Sequence, residues 1–420
     1  MISPAPAARQ TEATLTKFQN PLAPIRGLGG ERLRLLGILT GGHFFIHWFQ
    51  QLFPVVLPSV KAGLVLNDVQ VGALNSVRQL TNGTLDLPLG MLADSMVRHR
   101  GLILASALAS MGTAYFLMGI APFFIWALLG AGLVGLGTAL WHPAASASLS
   151  NRFPERRATA LAIHGMGATI SDTLTPLGVG LLLMTFSWEA VVGFQLVPAL
   201  LLGFLVWRSL AGLFADSDSH SSQSTQMREI LDLAMNPLFI GICAATALLQ
   251  VGRVVVITFL PIYLQEHLSY SPFVLGFYIA LLHAMGTISQ PIMGHLSDRF
   301  GRKAVLFPSF MSLGLLFVLL AVATPGVQLA LVVGAIGLFF YTLINITNAA
   351  VLDVAGSKIQ ASSFGLSSLA TQVLAFPAPI VAGLLIGEYG IHSAFLMSGL
   401  SVILGGFVLA PLSLYRGSRS

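Results

Sequence analysis

The feature that most constrains this chain is a series of apolar runs, each about 20 residues long, that recurs from one end to the other. A run of that length is what a helix needs to cross a bilayer. Twelve are read, at about 35–58, 70–92, 101–119, 122–150, 157–185, 188–210, 237–263, 272–296, 303–324, 327–351, 361–387 and 391–413. Lipid offers no partner to open backbone groups, so every run is expected to be helical. Composition agrees. Only 9% of residues are charged and 55% are apolar, against roughly 25% charged in ordinary globular chains. A soluble protein is excluded, and the expectation is an all-α membrane protein.

The basic residues fall in alternate connections: Arg26, Arg32 and Arg34; Arg98 and Arg100; Arg152, Arg156 and Arg157; Arg228; Arg299, Arg302 and Lys303; Lys358; Arg416 and Arg419. Lys61 alone sits in a connection of the other set. Basic loops stay on the cytoplasmic side, so both termini are expected there, in a multi-pass chain of a bacterial-type inner (plasma) membrane. The net charge of +5 is then a topology signal, and no nucleic-acid partner is expected, since that needs a basic soluble face. The organisation read is a cytoplasmic tail at 1–34, a first six-helix unit at 35–210, a Ser-rich cytoplasmic linker at 211–236, a second unit at 237–413 and a tail at 414–420. The N-terminal segment lacks the order of a cleaved signal peptide. The single Cys243 excludes an intramolecular disulfide.

The two units repeat. Gly294-His295-Leu296-Ser297-Asp298-Arg299-Phe300-Gly301-Arg302-Lys303 joins two apolar runs, and a worn copy, Gly90-Met91-Leu92-Ala93-Asp94 with Arg98 and Arg100, lies 204 positions earlier. Leu57-Pro58 matches Leu260-Pro261, and Thr175-Pro176 with Gly180-Leu181-Leu182 matches Ala378-Pro379 with Gly383-Leu384-Leu385, each 203 apart. The loop pattern resembles the signature of the major facilitator superfamily of secondary transporters. That resemblance implies twelve transmembrane helices in two pseudo-symmetric six-helix bundles, with a substrate site between them near mid-membrane. It implies alternating access by rocking of the halves, no cofactor and a monomer. The loop residues, Gly90, Asp94, Arg98, Arg100, Gly294, Asp298, Arg299, Gly301, Arg302 and Lys303, would form a gating latch. Asp94 and Asp298 would accept from backbone donors at a neighbouring helix start, and the nearby arginines would complete a charge network on the cytoplasmic face. The first copy has Ser95 where Arg is expected and lacks the glycine, which makes its latch weaker or re-wired.

Gly132 to Pro143, with Trp141-His142-Pro143 at its end, resembles the G-x-G-x-x-x-[WF]-H-P element of fosmidomycin-resistance-type efflux proteins, and His43 and Gln290-Pro291 fit the same group. Two departures stand out: Ala144 and His47 occupy places where the group carries acids.

Ionisable groups inside a bilayer are costly and face the bundle interior or a wet cavity. Asp172 shares a helix face with His164, and is read as a coupling carboxylate or a buried cross-link. Asp86 lies two turns beyond Arg78. His43 and His47, at i and i+4, project from one face; the pair is open to three readings, a proton relay, a metal half-site lacking a third ligand, or an interhelical contact. Asp172, Asp86, His43, His47 and His164 are thus the proton-coupling candidates, and no metal site is assigned. Arg78 and Arg253 could clamp an anion from the two halves, unless Arg78 is neutralised by Asp86 or Asp172 and Arg253 by Glu266. Trp48, Gln50, His142, His283, Asn345, Gln372 and Phe376 complete the substrate candidates, with His142 favoured as a structural or gating residue. The expected function is proton-coupled export of a small organic compound or drug. Uptake or exchange of an organic anion is the alternative, and metal export or a non-transporting receptor rank lower. No nucleophile–base set or phosphate loop supports an enzyme.

Overall fold

The structure is a computed structural model that describes residues 29–120, 123–211, 213, 230–355 and 360–414. Most of the expected N-terminal tail, the Ser-rich part of the linker and most of the C-terminal tail lie outside the described residues. Fifteen named helices carry the fold, and the described residues contain no strand. The first half comprises α1 (Gly30–Gly63), α2 (Asp68–Ser95), α3 (Arg100–Ile120), α4 (Phe124–Arg152), α5 (Arg157–Leu182), and a sixth span split into α6 (Trp188–Gly193) and α7 (Leu196–Leu210). The second comprises α8 (Pro237–Ile262), α9 (Pro272–Phe300) and α10 (Arg302–Leu320), then α11 (Val327–Phe340) with α12 (Thr342–Ala355), α13 (Gln360–Ala375) with α14 (Ala378–Tyr389), and α15 (His392–Leu409).

The chain marks its own helix starts. Asn67 and Gln70 form a reciprocal capping box at α2, Asn236 caps α8 with Pro237 at its first position, and Ser271 caps α9 ahead of Pro272. Such side chains satisfy the first backbone donors, and proline there forgoes a donor the helix does not use. The boundaries differ from expectation in three respects. α1 begins at Gly30, inside the expected tail, where Glu31 and Arg32 pair with Arg152 and Glu155 beyond the fourth span. Residues 230–234 of the expected linker are helical, and Leu233 is buried. Three spans read as continuous are broken, near Gln195, Tyr341 and Phe376-Pro377; proline explains the last.

Nine spans are long and apolar enough to cross a membrane among the described residues. The long helices outside that set are α1, α2 and α5. They belong to the first half and carry its buried histidines and acid and most of its buried amides, so their shortfall in apolarity is the signature of a polar interior.

The halves meet where α2 packs on α13 and α14, and α5 on α9. On the face away from the termini this contact is a clasp of four glycines. A methyl on Gly72 would overlap the Pro379 carbonyl, and one on Gly276 the Pro176 carbonyl; Gly383 stands likewise against Asp68, and Gly180 against Pro272. The contacts form two pairs related by the 203–204-residue repeat. Small residues let backbones close to this distance, and in lipid that packing is a main source of helix association. Lys61 adds ion pairs to Asp68 at 2.8 Å and to Glu266 of the other half at 2.6 Å.

On the face that carries the termini, the two loop copies differ. Gly301 turns the second with φ +95°, a conformation that favours glycine. The first has no such glycine and uses a longer path through a 3₁₀ turn, Val97–His99. Asp94 pairs with Arg100 at 3.0 Å. Asp298 takes Arg302, which also holds Asp353 at 3.0 Å. Arg302 reaches Asp298 because it opens the next helix one turn away. The first latch is re-wired through Arg100, whose Nε also donates to the Ala93 carbonyl at 2.9 Å.

Candidate functional site

A central cavity of about 250 Å³ lies between the halves, walled by Gln50, Gln51, Gln79 and Asn82 on one side and by Gln250, Phe340, Tyr341 and Gln372 on the other. Arg78 and Arg253 face it from opposite halves. Each guanidinium is steered by an amide three residues before it. Arg78 Nε donates to Asn75 Oδ1 at 3.0 Å, and Arg253 donates to Gln250. Each also lies over aromatic rings: Arg78 sits 5.0 Å from the Phe53 centroid, and Arg253 lies 4.5 Å from Phe340 and 5.0 Å from Tyr341.

Neither arginine forms an ion pair among the described residues. Asp172 belongs to His47, Glu266 to Lys61, and Asp86 faces Ser368. The internal neutralisation weighed for both is therefore absent. Arg253 Nε is buried without a hydrogen-bond acceptor, as is Gln79 Nε2. Buried donors of this kind are costly unless something accepts from them.

Beside the cavity, within the first half, lies a second polar cluster. His47 Nδ1 meets Asp172 Oδ1 at 2.8 Å, and Gln51 Nε2 donates to the same oxygen at 2.9 Å. Gln51 therefore belongs to both sites, as a cavity wall and as a ligand of the carboxylate. His43 stacks on His164 with centroids 4.0 Å apart, and its Nε2 lies 3.4 Å from Nε2 of His142. Gly167 permits this arrangement, because a side chain there would strike the Thr40 carbonyl and push α5 off α1.

The remaining sequence candidates scatter. Gln50 lines the cavity and donates to Thr138 at 3.3 Å. Gln372 lines it too, donating to Asn82 across the halves at 2.9 Å. Trp48 points instead into the first half, where its indole donates to Gln195 at 3.1 Å. Asn345 donates to Gln290 at 2.9 Å and ties α12 to α9. His283 is buried with both ring nitrogens unpartnered, 5.2 Å from the Tyr341 ring. Phe376 sits at the break between α13 and α14. Sequence reasoning missed Gln51, Asn75, Gln79, Asn82, Gln250 and Tyr341. A polar stripe at i, i+3, i+4 and i+7, running Asn75, Arg78, Gln79, Asn82, was the available signal for three residues of the wall and for the amide that steers Arg78.

The sequence profile of the Major Facilitator Superfamily matches residues 39–290 and 242–419. An uncharacterised MFS-type transporter of Bacillus subtilis, YfnC, is 24% identical over 407 residues, 95% of each chain. The multidrug resistance protein MdtG of Escherichia coli is 24% identical over 336 residues, 78% of this chain and 80% of its own. A solved bacterial homologue of the human lysosomal transporter Spinster, in an inward-facing, occupied conformation, superposes with a TM-score of 0.71 at 18% identity, over 94% of this chain and all of that one.

Proposed function

The chain belongs to the Major Facilitator Superfamily and is a multi-pass transporter of small molecules; on that premise we propose that it exports a small organic anion in exchange for protons. The observation that carries the substrate class is the pair of arginines, one from each half, with Arg253 buried and Arg78 half-buried, that face one cavity with no ion pair to an acid among the described residues. Guanidinium matches a carboxylate or phosphonate with paired donors. The surrounding amides orient the rest of the molecule. A volume of about 250 Å³ falls below the ~300–1,000 Å³ usual for drug-sized ligands, which favours a compact anion.

The proton site is Asp172 with His47. Ionised Asp172 holds both the imidazole and the Gln51 amide. Protonation removes the charge that Gln51 donates to and so resets one wall of the cavity. Through that wall, proton binding and substrate binding bias the same rocking equilibrium, which each ligand shifts only by binding one state better. With both termini cytoplasmic, the clasped face is the external one.

The test is a thermal-shift screen of purified protein against small carboxylates, phosphonates, amines and neutral drugs, followed by flux in proteoliposomes. Anions should raise the apparent stability and leave against an imposed proton gradient. Stabilisation by amines or neutral drugs alone would sink the anion assignment and favour the broader export that the likeness to MdtG suggests.

A further inference from the structure

We infer that His43, His47 and His142 form a binding site for a single divalent transition-metal ion of the zinc class. The argument starts from which nitrogen carries hydrogen. His43 Nδ1 lies 2.9 Å from the His164 carbonyl and His142 Nδ1 lies 2.9 Å from the Thr138 carbonyl. A carbonyl only accepts, so both Nδ1 atoms are donors. Each neutral ring then presents an unprotonated Nε2. These two Nε2 atoms point at one another across 3.4 Å, lone pair to lone pair. The third ring follows the same rule, since His47 Nδ1 donates to the Asp172 carboxylate at 2.8 Å and leaves its Nε2 free.

A facing pair of lone pairs is relieved by a cation between them. One proton would serve two nitrogens. Here, ring nitrogens of three histidines lie within 4.8 Å of one another. Three imidazoles are a ligand set for zinc, which binds nitrogen at about 2.0–2.1 Å and so spaces tetrahedral ligands about 3.3 Å apart. The His43–His142 separation already has that value. The outer shell is in place too. A ligating imidazole characteristically donates its other nitrogen to a carboxylate or carbonyl, which fixes tautomer and orientation; all three rings do so. Asp172 supplies a negative charge against the ion's two positive ones, and Gln51 secures that carboxylate. Three nitrogens leave one position of the tetrahedron open to water or to an anion. Entry is available, since the side chains of His47 and Asp172 keep 16% and 12% of their exposure.

The repeat shows that the site is specific to one half. At the positions 203 residues on from His43, His47, His142 and Asp172 stand Thr246, Gln250, Asn345 and Ala375, which would not hold such an ion. The occupied site would contain the groups assigned above to the proton. A bound metal ion would therefore displace that proton and hold Asp172 ionised. This consequence rests on the proposed coupling role; the binding itself does not.

The experiment is a titration of the purified, tag-free full chain in nanodiscs with cobalt(II), followed by displacement with zinc. One cobalt per chain with the intense visible absorption of a four-coordinate nitrogen site is expected. His142→Asn should abolish that spectrum. Asp172→Asn, which removes the outer-shell negative charge, should weaken binding by about 10–100-fold. His392→Asn, in the other half, should bind as wild type. Absence of stoichiometric cobalt, the weak spectrum of six oxygen ligands, or unchanged binding in His142→Asn would overturn the inference. The wild-type spectrum decides even if a variant fails to fold. Binding is read without transport, so failure here leaves the coupling role of Asp172 standing.

Discussion

At the residue scale, two small sets of side chains divide the chemistry. Arg78 and Arg253 lack acids and face the cavity, while Asp172 has partners on both sides. Asp172→Asn is therefore expected to reduce proton-driven accumulation by more than tenfold, within the roughly 5–150-fold range of a coupling free energy, while substrate affinity changes less. Parallel flux and thermal-shift measurements read the two effects, and equal loss of both would refute the division. Arg253→Lys keeps the charge but loses the planar fork. It should weaken anion binding by about 10–100-fold, the equivalent of roughly 1.5–3 kcal/mol for a charge-assisted contact; competition binding checks it. Part of this chemistry was legible in the sequence. His43 and His47 share a face by helical spacing, and a mid-span Asp172 announces itself by its cost in lipid. The third histidine was not legible, because whether His142 meets them depends on how α4 crosses α1. The same limit hid Tyr341, which reaches the cavity from a break in its span that no residue preceding it marks.

At the element scale, the clasp decides which face is shut. Gly72 and Gly276 each lie against the backbone of a partner helix, and backbone cannot rotate out of the way as a side chain does. Gly72→Val and Gly276→Val should both shift the population away from the clasped state. Labelling of single cysteines placed on the two faces would show it, as faster modification beside the clasp and slower modification near the loop signature. An unchanged labelling pattern in both variants would argue against the clasp. The sequence located these elements well, because runs of apolar residues and capping Asn and Ser are local signals. It missed the broken spans, because where a helix breaks depends on the packing around it. The worn first copy was recognised, and the physical meaning of its wear is now visible: without glycine the turn lengthens, and Arg100 takes over as partner of Asp94.

At the scale of the whole molecule, the halves share a frame and differ in their interiors. The titratable cluster lies in the first half and has no counterpart in the second. Both halves contribute an arginine to the cavity. Across the clasped face, Lys61 gathers Asp68 and Glu266 from the two halves. Such a partly exposed bridge contributes about 0–1 kcal/mol. Lys61→Met should consequently shift the balance of states by no more than about fivefold. Raising the salt concentration should erase much of the difference, since screening acts on the wild-type pair alone. Distance measurements between spin labels on the two halves, at low and high salt, would test this. The four glycines carry a further consequence. Their contacts pair Gly72 with Pro379 and Gly276 with Pro176, and Gly383 with Asp68 and Gly180 with Pro272. That is the grammar of an isologous interface, in which one patch meets a copy of itself about a two-fold axis. The two ends of a single chain thus close on each other as the subunits of a homodimer would. Damage to one seam then has a mirror image in the other.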